Sequence, residues 1–327
     1  MKIGTIGTGF IVDTFLSALA KIEGAECTAM YTRKRENALD LAEKHQIATI
    51  YTDLDQLFSD PNIDVIYIAS PNSLHYEHAY RALENGKHVI CEKPFTSTVQ
   101  ELESLMEISR KNKRLLFEAI TNIHLPNYQL IKRHVGDLGD IKFIQCNYSQ
   151  YSSRYDALLR GEIPNVFNPK FSGGALADIN IYNLHFVVNL FGKPQTVNYT
   201  ANKHPNGIDT SGVVVMQYPD FIAECVGAKD TDSMNFALIQ GEKGYIHVEN
   251  GANGCRQVVL HTGDEEIRLN SQATDNFLYY ELLVFKEIFE NKDFDRCEAL
   301  LEHSYAVMEV FEEARKSGGV VFGVDEG

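Results

Sequence analysis

Several features that would assign a protein to a class at once are absent from this sequence of 327 residues. Its six cysteines form no Cys-x-x-Cys pair, and no apolar stretch approaches the roughly eighteen residues of a membrane span. Basic side chains are few, since 30 Lys and Arg face 45 Asp and Glu, a formal charge of −15. This charge repels a nucleic acid backbone or an anionic membrane, so we expect neither as a partner.

The cysteines are scattered without metal-ligand spacing, so we expect reduced thiols and no metal site. The mostly apolar N-terminus, Met1–Leu16, is interrupted by glycines and Asp13, and no small-residue cleavage site follows it. We therefore do not interpret it as a signal peptide. Together these features predict a cytoplasmic protein.

The length favours two domains, and the hydropathy pattern changes character after about residue 121. Residues 1–121 alternate short β-rich runs with helical periodicity, as in the near-continuous apolar run Asp64–Ser70. Such alternation predicts βαβ units in a doubly wound parallel sheet, an α/β domain.

Residues 122–327 follow a different pattern. A long helix is predicted over Gly174–Phe191, and short strands separated by Gly, Asn and Asp turns follow between about 195 and 270. Two further helices end the chain, near Asp275–Phe289 and Cys297–Lys316. The pattern predicts an α+β domain with a mainly antiparallel sheet.

A glycine pair follows the first predicted strand, in the run Gly7-Thr8-Gly9-Phe10-Ile11-Val12. Two glycines allow a sharp turn and close approach to a pyrophosphate, while the helix starting near Phe10 directs its N–H groups at that charge. The third position of the pattern is Val12 rather than a small residue. An ordinary turn is the alternative, but at the start of a βαβ unit the run favours dinucleotide binding.

The end of the second strand carries Thr32 and then three basic residues, Arg33, Lys34 and Arg35. An NAD site would place an acidic residue here for the ribose 2′-hydroxyl. Basic side chains instead suit a 2′-phosphate, although a solvated helix start is the alternative. We therefore expect NADP, with NAD as the alternative.

Two further loops follow strands of the same sheet and lie at the same edge as the glycine pair. The first holds Ser70, Pro71, Asn72 and His75, and the second holds Glu92 and Lys93. A lysine beside a nicotinamide can hold a substrate hydroxyl and lower its pKa. The competing interpretation is a surface pair between Lys93 and Glu92.

The long helix in the second half carries a polar stripe of Asp178, Tyr182, His185 and Asn189. These positions share one face at about 100° per residue, and apolar residues occupy the rest. The stripe predicts a cavity-facing site, with a solvent-exposed face as the alternative. In alcohol oxidation Tyr182 would accept the hydroxyl proton if an ammonium such as Lys93 lowers its pKa. Asp178 would orient the substrate, and His185 would line the pocket or act as an alternative base.

Taken together, these motifs resemble the Gfo/Idh/MocA oxidoreductases. The resemblance covers the whole chain in order: the glycine loop, Ser70-Pro71-Asn72 with His75, Glu92-Lys93-Pro94, and Gly173-Gly174-Ala175-Leu176 with Asp178 and Tyr182. It implies a Rossmann domain, NAD(P)-dependent chemistry on sugars, polyols or cyclic diols, and an open sheet that often forms the interface of a homodimer or homotetramer.

The resemblance also assigns residues. It implies that Lys93 contacts substrate and nicotinamide, and that Asp178-Ile179-Asn180-Ile181-Tyr182 supplies the acid–base residue. Tyrosine rather than histidine there is similar to the branch with dimeric dihydrodiol dehydrogenase and glucose–fructose oxidoreductase. The expected cofactor contacts are Gly7, Thr8, Gly9, Phe10, Ile11, Thr32, Arg33, Ser70, Pro71, Asn72, His75, Glu92 and Lys93, and the expected pocket residues are His185, Asn122, Tyr151 and Arg154.

Three positions depart from the family pattern. Val12 replaces a small residue, Asn180 replaces the usual glycine, and Ile123-His124 stand where many relatives have Arg-Phe. Asn180 in particular is expected to push the helix away from the pocket and to shift Tyr182. The loop Tyr148–Phe171 is expected to roof the pocket.

Two alternative functions remain open from the sequence. One is a cofactor-binding regulator without turnover, against which the presence of both Lys93 and Tyr182 argues. The other is a metal-dependent dehydrogenase, in which His75, His78, Asp178 and His185 would supply ligands.

Overall fold

The computed structural model describes residues 1–326, whose backbone contacts group them into two units. The first unit comprises Met1–Ala119 and Asn276–Tyr305. The second comprises Ile120–Asp275 and the residues from Ala306 onward. The division predicted after residue 121 stays a prediction about domains. In the structure, residues 276–305, which that division gives to the second domain, pack within the first unit.

A six-stranded parallel sheet forms the centre of the first unit. Its strands are β1 (Lys2–Ile6), β2 (Glu26–Tyr31), β3 (Thr49–Tyr51), β4 (Val65–Ile68), β5 (His88–Glu92) and β6 (Leu116–Ala119). They lie in the order β3-β2-β1-β4-β5-β6. Strands β4 and β6 are buried along their whole length, as expected for strands covered on both faces. The predicted parallel α/β sheet is confirmed.

An eight-stranded sheet forms the centre of the second unit. Its strands are β7 (Ile141–Ser149), β8 (Thr196–Lys203), β9 (Asp209–Gln217), β10 (Ile222–Ala228), β11 (Phe236–Gly241), β12 (Gly244–Glu249), β13 (Gln257–Thr262) and β14 (Glu265–Leu269). Their order is β14-β13-β12-β11-β7-β10-β9-β8. Strand β7 runs parallel to β10, and the other neighbours are antiparallel. The mainly antiparallel sheet is confirmed, although the predicted strands did not include β7.

Ten α-helices pack around the two sheets in the described residues. They are α1 (Phe10–Leu19), α2 (Leu39–Lys44), α3 (Leu54–Ser59), α4 (His75–Glu84), α5 (Val99–Asn112), α6 (Pro126–His134), α7 (Tyr155–Leu159), α8 (Ile181–Phe191), α9 (Leu278–Asn291) and α10 (Phe294–Ser317). Within residues 1–326, no helix is both long enough and apolar enough to cross a membrane.

The predicted single helix over Gly174–Phe191 is interrupted near its start. Leu176–Asn180 form a π-helical segment, and α8 continues directly from it. A π-helical turn holds one more residue than an α-helical turn and is frequent at functional sites. The segment contains Asp178 and ends two residues before Tyr182, so it sets the direction of both side chains.

Candidate active site

The glycine loop follows β1, at the point where the strand order of the first sheet reverses between β2 and β4. Gly7 has a φ of +116°, and a Cβ added there would lie 2.6 Å from the Ala69 carbonyl oxygen. The Gly7 N–H donates to the Tyr31 carbonyl at 3.3 Å. Only glycine fits this turn, which lies where open parallel sheets bind dinucleotides.

The start of α1 leaves its backbone N–H groups available to a ligand. Gly9 caps the helix without a side-chain hydrogen bond, and a Cβ there would meet nothing within 4 Å. Thr8 and Ile11 beside it are both partly exposed, and Phe10 is 84% exposed. Val12, at the third position of the glycine pattern, is fully buried. Its side chain therefore packs in the core and does not enter the loop. The loop and helix start therefore fit a pyrophosphate.

The basic cluster after β2 divides into two parts. Arg35 Nη1 donates to the Ile50 carbonyl at 3.0 Å and so anchors the loop to β3. Among residues 1–326 the exposed side chains of Arg33 and Lys34 make no hydrogen bond or ion pair, while Thr32 is buried and its N–H donates to Tyr51. Two unpaired cations beside the glycine loop fit a 2′-phosphate.

His75 joins the loops that follow β4 and β5. Its Nδ1 and Nε2 atoms lie 2.9 Å from the carbonyl oxygens of Pro94 and Ser70. Burial lowers the pKa of His75, whereas the two carbonyl acceptors act in the opposite direction. His78 Nδ1 lies 3.0 Å from Ser70 Oγ. His75 thus fixes the shape of the loops that carry Asn72 and Lys93, and direct cofactor contact by His75 stays a prediction.

Three carboxyl groups lie inside the first unit near the end of β5. Tyr67 donates to Glu92 Oε1 at 2.6 Å, and burial raises the pKa of Glu92 to about 6. Phe95 N–H donates to Glu118 at 3.2 Å. Burial also raises the pKa of Glu281 well above its usual range. Glu92 is 8% exposed, so a pair of Glu92 with Lys93 would be buried on the Glu92 side rather than lie on the surface.

The first residue of the π-helical segment, Leu176, is hydrogen-bonded to the buried carboxylate of Asp209. Asp209 Oδ2 accepts hydrogen bonds from Leu176 N–H at 2.6 Å and from Tyr199 Oη at 2.8 Å. Gly174, with a φ of +102°, leaves room for this carboxylate, because a Cβ there would lie 2.0 Å from Asp209 Oδ1. The Gly174 carbonyl accepts from the Asp178 N–H at 3.0 Å. Asp209 and Gly174 therefore fix where the segment with Asp178 begins.

Asn180, the departure from the family glycine, is accommodated by a glycine elsewhere. Its Nδ2 atom donates to the Cys225 carbonyl at 2.9 Å, and its Oδ1 accepts from Asn183 at 2.8 Å. A Cβ on Gly227 of β10 would lie 2.5 Å from the Asn180 Cβ. The missing side chain at Gly227 makes room for Asn180, so the helix stays against the sheet. Displacement of the helix from the pocket, with a shift of Tyr182, stays a prediction.

The polar stripe does not present one uniform face. Asp178 and Tyr182 are partly exposed, whereas His185 is fully buried. Asn189 Oδ1 accepts hydrogen bonds from Tyr128 at 3.0 Å and Lys132 at 3.2 Å. Tyr182, His185 and Asn189 all lie on α8, beyond the π-helical segment, so the difference in their exposure comes from what packs against each position. A pocket role for His185 stays a prediction.

Asp178 is paired with a lysine that the sequence motifs did not indicate. Lys229 Nζ donates to Asp178 Oδ2, with side-chain exposures of 10% for the lysine and 35% for the aspartate. Lys229 follows β10 directly, 51 residues after Asp178. The one signal in the sequence is a charged residue at the end of an apolar strand.

The other predicted pocket residues have different surroundings. Asn122 is fully buried, and its Nδ2 donates to the Tyr182 carbonyl at 2.8 Å, which holds the first turn of α8. Tyr151 Oη donates to Asp156 at 2.7 Å. Arg154 is exposed and lines a cavity of about 540 Å³ with Glu162, Ile163 and Asn165. Their roles in substrate binding stay predictions.

No cluster of three or more His, Cys, Asp or Glu side chains in residues 1–326 is arranged to hold a metal ion. Both ring nitrogens of His75 already contact backbone carbonyls. The described residues therefore give no support to the metal-dependent alternative.

The fold and the glycine loop define a nucleotide-binding protein with a Rossmann domain, and comparison with known proteins identifies its family and activity. Residues 1–120 match the GFO/IDH/MocA oxidoreductase family with NAD-binding Rossmann fold, and residues 129–247 match the GFO/IDH/MocA C-terminal domain. The chain belongs to the Gfo/Idh/MocA family and is an NAD(P)-dependent oxidoreductase acting on CH–OH groups.

Similar proteins extend over the full chain. It is 34% identical to scyllo-inositol 2-dehydrogenase (NADP(+)) IolU of Bacillus subtilis (strain 168), covering 100% of this chain and 99% of that protein. It is 25% identical to trans-1,2-dihydrobenzene-1,2-diol dehydrogenase of Sus scrofa, covering 100% and 99%. A solved structure of KijD10, a 3-ketoreductase from Actinomadura kijaniata, shares the fold with a TM-score of 0.86 at 20% identity, covering 98% and 99%. The comparisons give no support to a regulator without turnover.

Proposed function

We propose that this enzyme is an NADP-dependent dehydrogenase of a cyclic polyol or cyclic diol. The observation that carries the proposal is the arrangement at the start of α8, where the Tyr182 phenol follows one turn after the Asp178 carboxylate, itself paired with a buried ammonium. A phenol can exchange a proton with a hydroxyl group, and a carboxylate can accept a hydrogen bond from a second hydroxyl. The similarity to an inositol dehydrogenase and to a dihydrodiol dehydrogenase supports this substrate class.

The proposed chemistry divides between the cofactor and the protein. When bound, the nicotinamide supplies the hydride chemistry. The glycine loop and the start of α1 would bind its pyrophosphate, with Arg33 at the 2′-phosphate. Tyr182, in its phenolate form, would accept the proton of the reacting hydroxyl. The contact of Lys93 with substrate and nicotinamide stays the prediction that the family resemblance gives. Asp178 orients the substrate by accepting a hydrogen bond from it.

A substrate panel tests the proposal. We expect the purified enzyme to reduce NADP⁺ with at least one of scyllo-inositol, myo-inositol or a trans-dihydrodiol, followed by the absorbance of NADPH. Linear alcohols of matched concentration serve as the control and should react at least tenfold more slowly. Preference for a linear alcohol, or no reaction with any cyclic substrate despite NADPH binding, would contradict the proposed substrate class.

Arg33→Ala is expected to weaken NADPH binding by about ten- to a hundredfold, the loss expected for a charge-assisted contact to phosphate. NADH binding should stay within about twofold, because NADH lacks the 2′-phosphate. The chain has no tryptophan, so nicotinamide fluorescence can be titrated without tryptophan background. Arg35→Ala is not a suitable control because Arg35 anchors the loop, so Arg160→Ala in the second unit is used instead. Equal loss for both cofactors would contradict the assignment of Arg33.

We also infer that two copies of the chain pair through the open face of the eight-stranded sheet. The outward positions of β9, β10 and β12 carry exposed apolar side chains, with Val215 at 40%, Ile222 at 37% and Tyr245 at 40% exposure. Monomeric proteins seldom expose contiguous apolar patches of this kind. Sedimentation should give a dimer or tetramer, and Val215→Lys should lower the oligomeric mass. A wild-type monomer at micromolar concentration would exclude this interface.

We propose a cytoplasmic location because the cysteines form no disulfide bonds in the described residues. All six cysteines are free, and five are buried in the described structure. Free thiols persist in reducing compartments. Fractionation of cells that express the chain, followed by immunodetection, tests this location, and recovery outside the cytoplasm would contradict it.

A further inference from the structure

Lys229 has a fixed backbone position at the end of β10. Its N–H donates to the Thr210 carbonyl at 2.8 Å, and its own carbonyl accepts from the Ser152 N–H at 2.9 Å. These two bonds connect Lys229 to the start of β9 and to the segment after β7. With the backbone held on both sides, the freedom that remains is that of the side chain alone.

The side chain of Lys229 places a charge inside the second unit. The residue is 8% exposed, and Nζ lies 6.0 Å from the centroid of the Phe167 ring. Within residues 1–326 the Asp178 carboxylate is the one hydrogen-bond acceptor that contacts Nζ. An ammonium has three N–H donors, so two of them are not used by the described residues. A buried charge with unused donors is costly unless another partner satisfies them.

We propose that Lys229 is a substrate-positioning residue that selects a hydroxyl group on the carbon next to the reacting carbon. The inference rests on the proposed function. A hydroxyl group donates one hydrogen bond and accepts others, so it can accept from Lys229 Nζ while it donates to Asp178. Neither group alone offers both partners. One hydroxyl can therefore bind the Lys229–Asp178 pair while a second reacts at Tyr182, which follows Asp178 by about one helical turn. A substrate with two neighbouring hydroxyls uses both places, and an isolated alcohol uses only one.

The pair joins two separate elements, because Lys229 directly follows β10 and Asp178 lies in the π-helical segment. Asp178 is held at its N–H by Gly174, and Lys229 is held through Thr210 and Ser152. Two groups fixed from separate elements keep their spacing when substrate is absent. Preorganisation of this kind reduces the ordering cost of binding.

Lys229→Met tests the proposal, because methionine keeps most of the side-chain volume and removes the charge. The assay compares a cyclic polyol that the wild-type enzyme oxidises with its deoxy analogue that lacks the neighbouring hydroxyl. We expect kcat/KM for the polyol to fall about thirtyfold, mostly through KM, and kcat/KM for the analogue to fall less than about threefold. Lys229→Arg, which retains the charge, should recover part of the preference.

Three controls separate this role from a structural one. Lys193→Met removes another ion pair of the second unit, which Lys193 forms with Glu309 at 2.8 Å. It should leave kcat/KM for both the polyol and the deoxy analogue unchanged. NADPH affinity and the thermal midpoint of Lys229→Met should stay close to those of the wild type. The double variant Lys229→Met with Asp178→Asn should lose less than the sum of the single losses, because the two side chains act through one contact.

The outcomes are distinguishable. Equal losses on polyol and analogue, or additive losses in the double variant, would overturn the role of Lys229 while wild-type activity still supports the proposed function. A wild-type enzyme that binds NADPH but oxidises no cyclic alcohol would overturn the proposed function, and the inference with it. Selective loss on the polyol, with partial recovery in Lys229→Arg, supports both.

Discussion

Tyr182→Phe is expected to lower kcat/KM for alcohol oxidation about a thousandfold while NADPH binding is unchanged. The substitution removes only the phenolic oxygen, which we propose as the proton acceptor, and general acid–base groups contribute about 10²- to 10⁴-fold. The rest of the side chain should stay in place, because its ring contacts Tyr148 at a centroid distance of 6.1 Å and its carbonyl accepts from Asn122. Steady-state kinetics and a fluorescence titration with NADPH measure the two effects.

The matched control for this variant is Tyr80→Phe, which removes a phenolic oxygen from a partly exposed position of α4. It should keep kcat/KM within about twofold. His185 is the alternative base, so His185→Asn is measured in parallel with its thermal midpoint. If Tyr182→Phe keeps more than a tenth of the activity and a folded His185→Asn variant loses it, the proton acceptor is His185 rather than Tyr182.

Much of the first unit could be predicted from the sequence because its signals are local. Strand β4 is a continuous apolar run followed by polar residues and proline, and Gly7 and Gly9 mark the turn after β1. Strand β3 has three residues and α3 six, which is too short for a periodic pattern to be recognised. The segment after β2 is equally short, since a 3₁₀ turn at Arg35–Ala38 leads directly into α2, which has six residues.

The second unit was less predictable because its contacts join distant parts of the chain. Strand β7 lies between β11 and β10 in the sheet, although both partners come more than 70 residues later in the sequence. Without those partners, Ile141–Ser149 carries an alternating pattern that an exposed loop segment can also show. The parallel pairing of β7 with β10 cannot be derived from turn chemistry, because no short connection joins them.

The candidate site shows the same division. Tyr182 and Asp178 could be selected because their spacing on one helix is a local property. Lys229 could not, since its partner lies 51 residues away and no motif links them. The prediction of a displaced helix at Asn180 did not take Gly227 into account. Gly227 makes room for the Asn180 side chain, but it lies far from Asn180 in the sequence. An unusual residue in a motif is therefore informative only together with the residue that packs against it.

Gly174→Ala is expected to lower the free energy of unfolding by roughly 3–5 kcal/mol, an effect at the upper end for single substitutions. The added Cβ would lie 2.0 Å from Asp209 Oδ1, so the carboxylate must move. Its hydrogen bonds to Leu176 N–H and Tyr199 Oη are then lost or lengthened in a buried place. Because Asp209 fixes the start of the π-helical segment, kcat/KM should also fall, by about tenfold or more, through displacement of Asp178 and Tyr182.

Gly207→Ala is the matched control, because it separates backbone strain from the clash. Gly207 has a φ of +91°, close to that of Gly174, but a Cβ there would meet nothing within 4 Å. Gly207→Ala should therefore lower the free energy of unfolding only by the strain of a left-handed backbone, about 1–2 kcal/mol, and leave kcat/KM unchanged. Urea unfolding of both variants measures the difference. Equal losses of unfolding free energy in the two variants would mean that backbone conformation alone accounts for the effect of Gly174→Ala. Asp209 would then not hold the segment that positions Asp178 and Tyr182.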